Sequence, residues 1–503
     1  MQIEPDFQSF STGLNAGRPQ LVWTRLVADL ETPVSAMLKL SHGRTNTFLL
    51  ESVEGGAVRG RYSIIGLKPD IIWRAHGNAA QVNRNATFGE DEFAPCPLPT
   101  LESLRALLAE SRIDLPEDLP PMAAGVFGYI GYDAVRLMED LPDENPDVLG
   151  VPDAMLIRPT MMAIFDNIRD EITLVTPVWP MGQKAKTAYT DAIERIEQTI
   201  EDLSKPLPVS AGEDPLTRID APVSNTGQDE YERMVTAAKD YISAGDIFQV
   251  VLSQRFDTEF SLPPFSLYRA LRRINPSPYL YFLHFDGFSV VGSSPEILVR
   301  VRGGKVSIRP IAGTRPRGRT RAEDEALGKE LLADPKERAE HLMLLDLGRN
   351  DVGRVAKIGT VKVTDQFFLE HYSQVMHIVS NVEGELDGKY DAISALIAGF
   401  PAGTVSGAPK VRAMEIIDEL EKDKRGIYAG CVGYFSANGD MDTCIVLRTA
   451  IVKDGVMHVQ AGAGIVADSD PASEHAECTH KAGALFRAAE EAARFAGEPV
   501  KGQ

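Results

Sequence analysis

The sequence predicts an α+β fold with large antiparallel sheets. Three residue pairs suited to tight turns lie between apolar runs of strand length: Gly303-Gly304, Asn438-Gly439 and Asp454-Gly455. Residues 187–203 instead place their apolar side chains along one stripe with helical spacing. Because hairpins are mixed with helices and no strand–helix–strand repeat is visible, a doubly wound parallel sheet is not expected.

The first half of the chain is predicted to be rich in strands. Residues 20–100 read mostly as short strands, and 47–52 and 61–66 form a hairpin around Gly55-Gly56. A helix is expected over 101–111. A packed strand end is expected at 127–132, and two more strands between 155 and 175.

The second half has clearer boundaries. Residues 230–244 form a predicted helix that stops at Gly245, and 248–256 form an apolar strand. Asp334-Pro335 and Asp470-Pro471 each open a helix, because Asp caps a first turn and Pro fits within it. The arginine-rich residues 308–318 are interpreted as a solvated loop.

Residues 204–228 contain four prolines and several small polar residues, which is typical of a linker or crossing segment. The predicted organisation is therefore an N-terminal region, 1–203, this segment, and a C-terminal domain, 229–503.

The composition excludes several classes of protein. The chain has 503 residues, 44% of them hydrophobic, and a net charge of −20, which suits neither nucleic acid nor an anionic membrane. The four cysteines have no paired spacing, so a reducing compartment is expected. With no signal peptide and no apolar run of membrane-spanning length, the protein is expected to be cytoplasmic.

Two predicted helix starts carry the same acidic spacing. Glu337 and Glu340 lie one turn apart, as do Glu474 and Glu477. Each pair could simply favour its helix start. Together, four carboxylates would repel one another unless a cation lay between them, and all-oxygen ligands favour Mg²⁺. A di-iron bundle would need two Glu-x-x-His motifs, and only Glu477 to His480 provides one.

Three further features suggest ligand binding without establishing it. Residues 400–410 form a glycine-rich loop before a predicted helix over 409–420, which could hold an anion but lacks P-loop spacing. His377 lies in an apolar strand, where it could equally be a core residue. Arg448 ends an apolar strand, and a ligand carboxylate could serve as its partner.

Five stretches resemble chorismate-utilising enzymes, and most closely the anthranilate synthase component I family: 293–296, 310–318, 340–351, 400–410 and 462–481. The resemblance extends over nearly the whole chain and is strongest over 227–485, which makes 229–503 the implied chorismate-binding catalytic domain. It implies that the antiparallel sheets form a sandwich-like core flanked by helices.

The resemblance also implies roles for individual residues. Glu340 and Glu477 would ligate Mg²⁺, with Glu337 and Glu474 beside them. Glu296 would protonate the departing 4-hydroxyl of chorismate, and His377 would help the later proton removal. The residues that would hold the substrate carboxylates are Tyr428, Arg448, Gly462, Gly464 and Lys481. Those that would line the pocket are Gly313, Thr314 and Thr404.

Two positions separate the members of this family. Isochorismate and salicylate synthases have a water-activating lysine where this chain has Gln249, and glutamine is no base. Aminodeoxychorismate synthases typically have a nucleophilic lysine where this chain has Ala312. Both differences favour anthranilate synthesis from ammonia. The alternatives are an aminodeoxychorismate synthase without that lysine, and a non-catalytic sensor of chorismate or tryptophan.

The resemblance further implies feedback inhibition by tryptophan, with the inhibitor site contributed largely by the N-terminal region. The alternative is a strand packed on a proline-rich turn. The residues implied in the inhibitor site are Leu50, Glu51, Ser52, Pro278, Tyr279, Leu280, Val432 and Tyr434.

A partner is expected because releasing ammonia from glutamine needs an activated cysteine. None of the four cysteines (Cys96, Cys431, Cys444, Cys478) lies in a suitable context. A separate glutamine amidotransferase subunit, component II, is therefore expected, in a heterodimer or a dimer of heterodimers.

Overall fold

The computed structural model describes residues 2–54, 58–88, 92–208, 219–372 and 375–496. The helices are α1 (Phe7–Asn15), α2 (Pro33–Ser41), α3 (Thr100–Glu110), α4 (Ala185–Ser204), α5 (Gln228–Ala244), α6 (Pro264–Ile274), α7 (Arg321–Ala333), α8 (Pro335–Gly353), α9 (Ala392–Gly399), α10 (Lys410–Leu420) and α11 (Pro471–Ala496). Short 3₁₀ turns lie at Ala86–Phe88, Pro121–Ala123, Tyr132–Leu137 and Gly403–Val405.

The strands are β1 (Gln20–Val27), β2 (Thr47–Glu54), β3 (Val58–His76), β4 (Ala79–Asn83), β5 (Ala94–Pro95), β6 (Gly125–Ile130), β7 (Ala154–Asp166), β8 (Glu171–Val178), β9 (Val223–Ser224), β10 (Gln249–Glu259), β11 (Tyr279–His284), β12 (Phe288–Ser294), β13 (Ile297–Arg302), β14 (Lys305–Ile308), β15 (Ile311–Pro316), β16 (Lys362–His371), β17 (Val375–Glu385), β18 (Gly407–Ala408), β19 (Cys431–Ser436), β20 (Met441–Ile445), β21 (Thr449–Lys453) and β22 (Val456–Ile465).

These strands pair into two antiparallel sheets that meet at β7. One sheet runs β10-β22-β21-β12-β11-β2-β3-β7-β8-β1, with β9 and β18 also on β10. The other runs β7-β6-β19-β20-β13-β14-β17, with β15 and β16 on β17. The early residues of β7 pair with β6 and the later ones with β8. Strand β3, which pairs with β7 throughout, pairs with β2 through its early residues and with β4 through its later ones, so β3 and β7 both extend through the two sheets.

A sandwich core flanked by helices follows from where the apolar side chains lie. Phe48, Phe127, Tyr281 and Val432, from both sheets, belong to one buried cluster between them. A second cluster joins the first sheet to α1, α2, α4, α6 and α11. A third joins the second sheet to α3, α5, α8, α9 and α10. The predicted α+β class is confirmed. Among the described helices, none combines the length and apolarity needed to cross a bilayer.

Most sequence-predicted elements are confirmed, including the three hairpin turns and the two helices opened by Asp-Pro. The interpretation of residues 308–318 as a loop is wrong, because Ile311–Pro316 is strand β15 paired with β17. Its arginines did not mark a solvated turn. Arg315 is held in ion pairs with three carboxylates, of which Asp334 and Glu337 lie at the start of α8.

Residues 20–100 also differ from the prediction of mostly short strands. Strand β3 runs for 19 residues and α2 is a helix opened by a capping box at Thr32 and Ser35. The pairing of β3 with β7 shifts register after Pro69, and the neighbouring Lys68 has a φ of 51°. The strand bends here but does not end, although the sequence at this point is typical of a strand end. The predicted hairpin is present, although its turn, Gly55-Gly56, lies outside the described residues.

The predicted linker is described only in part, at 204–208 and 219–228. Val223–Ser224 pairs with β10, so this end of the segment joins a sheet. Strands of the two predicted regions are also neighbours, since β2 pairs with β11 and β6 pairs with β19. The division into 1–203 and 229–503 stays a prediction.

One buried ion pair ties several elements together. Arg425 is 1% exposed and binds Glu421, with Nη2–Oε1 at 2.6 Å and Nε–Oε2 at 2.9 Å. The guanidinium also donates to the carbonyls of Val405 and Val251. Glu421 accepts from the backbone and hydroxyl of Ser253. Because both charges are fully hydrogen-bonded, their burial is tolerated.

We expect Glu421→Gln to destabilise the fold by about 3–5 kcal/mol, because it leaves the buried Arg425 guanidinium without its counter-charge. The shift of the urea unfolding midpoint measures this. The matched control is Glu325→Gln, which breaks the exposed pair with Arg321 and should cost less than about 0.5 kcal/mol. Equal midpoints for the two variants would contradict the role assigned to the buried pair.

Candidate active site

Glu296 has a buried carboxyl group and lies between two strands that pair with different partners, β12 with β21 and β13 with β20. It follows β12 and precedes β13, and it is 7% exposed. Thr404 Oγ1 donates to its Oε1 at 3.1 Å. Burial raises the pKa of Glu296 to about 8, although the Thr404 hydroxyl and the Ile311 N–H each act to lower it. The carboxyl is therefore protonated at neutral pH, as a general acid must be.

His377 is held as a neutral imidazole. It lies on β17, with Nδ1 3.0 Å from the Gly313 carbonyl oxygen and 3.1 Å from Thr314 Oγ1. Burial lowers the pKa of His377 to about 4. Since the Gly313 carbonyl can only accept, Nδ1 carries the ring proton and Nε2 keeps its lone pair. The ring is therefore arranged to accept a proton at Nε2.

The glycines of β22 allow close approach of polar groups. A Cβ at Gly462 would lie 3.0 Å from the Tyr428 hydroxyl, and one at Gly464 would lie 2.6 Å from Nε2 of Gln249. Lys481 on α11 donates to the Gly462 carbonyl oxygen at 3.0 Å. Sequence-predicted residues from β22, α11 and the segment before β19 are thus neighbours.

Arg448 is partly buried, and among the described residues its guanidinium forms no ion pair and no side-chain hydrogen bond. It has a φ of 48°, and burial lowers its pKa. Its charge, like that of Lys481, helps to lower the pKa of His377, so these cations lie near the ring. A partly buried cation without a carboxylate partner among the described residues suits a ligand carboxylate.

Tyr372 is a further wall of this site that the sequence did not reveal. Its ring packs edge-on against His377 at 5.3 Å between centroids, and its hydroxyl donates to Glu370. It lies close enough to Arg448 to act on its charge. An aromatic residue five positions before His377 was the available signal, but only the pairing of β16 with β17 brings it against the imidazole.

The four predicted metal ligands lie on two helices, α8 and α11, and differ in their surroundings. Burial raises the pKa of Glu340, and the charges of Glu337 and Glu477 raise it further. The pKa of Glu474 is also raised, chiefly by burial. Glu337 is paired with Arg315 at 2.9 Å, and Glu477 with Lys481 at 2.7 Å.

This donor set fits Mg²⁺ in its chemistry, because the ligands are oxygen atoms and a cation would relieve the repulsion around Glu340. In the described part of the chain, however, no three acidic, histidine or cysteine side chains converge on one point at metal-ligand spacing. Two of the glutamates are instead bound to cationic side chains.

The residues of the predicted inhibitor site share a neighbourhood around the paired strands β2 and β11, but not one face of it, because Leu280 belongs to the cluster that packs on the helices. Leu280 pairs with Glu51 across β11 and β2, and the cluster between the sheets includes Leu50, Tyr279, Val432 and Tyr434. Ser52 packs closely on the backbone of Gly60, and Pro278 directly precedes β11.

The Glu51 carboxylate already has partners. It binds Arg272 Nε at 2.6 Å and accepts from Tyr268, both on α6. A tryptophan ammonium group would therefore need other acceptors, such as backbone carbonyls or the Ser52 hydroxyl. Glu51 thus joins β2 to α6 through these contacts and fixes the position of the two elements beside the predicted inhibitor site.

Known proteins match this chain over most of its length. Residues 68–487 match the family described as chorismate binding enzyme. Anthranilate synthase component 1 of Cereibacter sphaeroides is 58% identical over 491 residues, which cover 97% of this chain and 98% of the relative.

Solved structures agree with the sequence matches. Anthranilate synthase component I from Streptococcus pneumoniae has a TM-score of 0.77 at 36% identity, covering 92% of this chain and 99% of that one. The menaquinone-specific isochorismate synthase of Escherichia coli has a TM-score of 0.69 at 21% identity over 96% of this chain and all of that one, and so supports the fold alone. The chain therefore belongs to the anthranilate synthase component 1 family of chorismate binding enzymes.

Proposed function

We propose that this chain is the large subunit of an anthranilate synthase. It converts chorismate and ammonia to anthranilate and pyruvate, a step of tryptophan biosynthesis in the cytoplasm. The proposal takes the reaction from the named relatives and assigns its steps to the residues that line the site.

The surroundings of Gln249 are the observation that supports ammonia as the nucleophile. Its side chain is buried beside Gly464, and Oε1 has no hydrogen-bond partner among the described residues. A buried acceptor without a donor is costly, and the N–H groups of ammonia would satisfy it. Glutamine cannot deprotonate water, so addition of water to the ring, as in isochorismate synthesis, is disfavoured.

The neutral residues supply the proton transfers. The protonated Glu296 donates to the 4-hydroxyl of chorismate as ammonia adds at C2 and water leaves. His377 then accepts the ring proton from C2 at Nε2 as the bond between the ring and the enolpyruvyl oxygen breaks. Protonation of the methylene carbon of the departing group gives pyruvate, and the ring becomes aromatic. Arg448 and Lys481 hold the substrate carboxylates, and Tyr372 shields the His377 ring from water.

Mg²⁺ is the proposed cofactor, held by Glu340 and Glu477 with Glu337 and Glu474 beside them. When bound, the metal would supply positive charge for a substrate carboxylate. Carboxylates that already repel one another favour binding of a divalent cation.

Glutamine use is proposed to require a second subunit of the amidotransferase type, component II, in a heterodimer or a dimer of heterodimers. Burial raises the pKa of Cys431 and of Cys478 to about 12. Cys444 is buried too, and its pKa is also raised. Thiols in this state are poor nucleophiles at neutral pH.

The purified chain should make anthranilate from chorismate, Mg²⁺ and ammonium salt, but not when glutamine replaces the ammonium salt. Anthranilate fluorescence and chromatography of the products measure the outcome. Accumulation of an aminodeoxychorismate would identify the alternative enzyme, and chorismate left unchanged would identify a sensor. Glutamine-dependent synthesis without a second polypeptide would refute the partner.

Glu296→Gln should lower kcat by roughly 10²–10⁴-fold while chorismate still binds, because only the proton donor is removed. In the wild-type protein, kcat/KM per unit of free ammonia should fall as pH rises through about 8, where Glu296 loses its proton. The residual activity of the glutamine variant should lack this decline. The same decline in both proteins would assign it to another group.

Feedback inhibition by tryptophan is proposed at the neighbourhood of Leu50, Ser52, Tyr279, Leu280 and Tyr434. Strand β11 of this neighbourhood leads through a hairpin into β12, which ends beside Glu296. An inhibitor wedged against β11 would thus act on the placement of the acid.

Ser52→Phe should weaken tryptophan inhibition at least about tenfold, because a ring at this position would fill the proposed slot. Turnover with ammonia should change less than about twofold. A thermal unfolding midpoint near that of the wild type would exclude a general loss of structure caused by the close contact with Gly60. Wild-type protein insensitive to millimolar tryptophan would refute the site.

A further inference from the structure

Two of the four glutamates form ion pairs, Glu337 with Arg315 and Glu477 with Lys481, and the two cations differ in how many carboxylates they contact. Arg315 contacts Glu330, Asp334 and Glu337, so its guanidinium is fixed by three carboxylates. Within the described ranges, Lys481 instead pairs with a single carboxylate, that of Glu477, four residues earlier on the same helix face. Its ammonium also donates to the Gly462 carbonyl oxygen at 3.0 Å.

We propose that Lys481 is an internal counter-cation that neutralises Glu477 until the metal binds, and that it is then released to bind a substrate carboxylate. The inference rests on the proposed function, and it concerns how metal and substrate binding are coupled through one side chain.

The geometry favours such an exchange of partners. Lys481 and Glu477 have side chains 47% and 49% exposed, and an ion pair of this exposure is weak enough for a divalent cation to displace it. The other ammonium contact, with Gly462, lies on the strand that forms the substrate pocket. A small rotation of the lysine side chain therefore moves its charge from the acidic helices towards the pocket.

The same arrangement explains why the glutamates do not converge in the described residues. Neither Glu340 nor Glu474 forms an ion pair with any residue that the structure describes. Glu477 is turned to Lys481. Metal binding must break this contact, which weakens metal binding in the free protein. Substrate binding draws Lys481 away and should strengthen it.

Metal binding without substrate gives the direct test. Calorimetry with Mg²⁺, and electron paramagnetic resonance with Mn²⁺, are applied to the full chain at about 0.15 M salt to limit long-range effects. Lys481→Met keeps the apolar stem and removes the charge. We expect it to bind either metal about two- to fivefold more tightly than the wild type, the range of one exposed ion pair.

Lys336→Met is the matched control. Lys336 is an exposed lysine near Glu340, but its ion-pair partner is Asp468 and not one of the four glutamates. Its removal should change metal affinity clearly less than that of Lys481. Lys481→Arg keeps the charge and should leave metal affinity close to that of the wild type.

If Lys481→Met and Lys336→Met increased metal affinity equally, the exchange of partners would be refuted. The gain would then come only from the loss of one positive charge near the glutamates. Unchanged or weaker metal binding by Lys481→Met would overturn it as well. Glu340→Gln should lose most metal binding. If the wild type binds no metal while it makes anthranilate, the proposed role of Mg²⁺ fails, and the inference fails with it.

Discussion

The site depends on the buried contact between Arg425 and Glu421. Through it, the end of α10, the middle of β10 and the 3₁₀ turn at Gly403–Val405 share one set of hydrogen bonds. Val405 directly follows Thr404, which contacts Glu296. The guanidinium also lies over the ring of Tyr428, which faces Gly462. One charged pair thus positions both the acid and the end of the site that would hold carboxylates.

The residues assigned to proton transfer are buried, whereas the predicted metal ligands are partly exposed to solvent. Glu296 and His377 are buried and neutral, so the groups assigned to proton transfer carry no charge that burial would penalise. The acidic helices, in contrast, are partly exposed and charged. In a protein with a net charge of −20, an anionic substrate can bind only where cations such as Arg448 locally reverse the field.

The local sequence pattern was sufficient to predict most of the helices and strands. Turn pairs such as Asn438-Gly439 and caps such as Asp334 specify their own backbone, and the structure follows them. The strand β15 was missed because its arginine is neutralised by residues of another element, and sequence spacing does not reveal such partners. For the same reason, the position of Tyr372 on His377 and the ion pair of Glu51 with Arg272 had to come from the structure.

The sharing of strands between the two halves also constrains how this chain can fold during synthesis. Strands β1, β3, β7 and β8 can pair as soon as they leave the ribosome. The outer edges of β2 and β6 have to wait for β11 and β19, which are made much later. In this interval, the nascent chain presents two open edges able to pair with other chains. Slower translation would prolong this interval, and chaperones that cover strand edges would protect the chain during it.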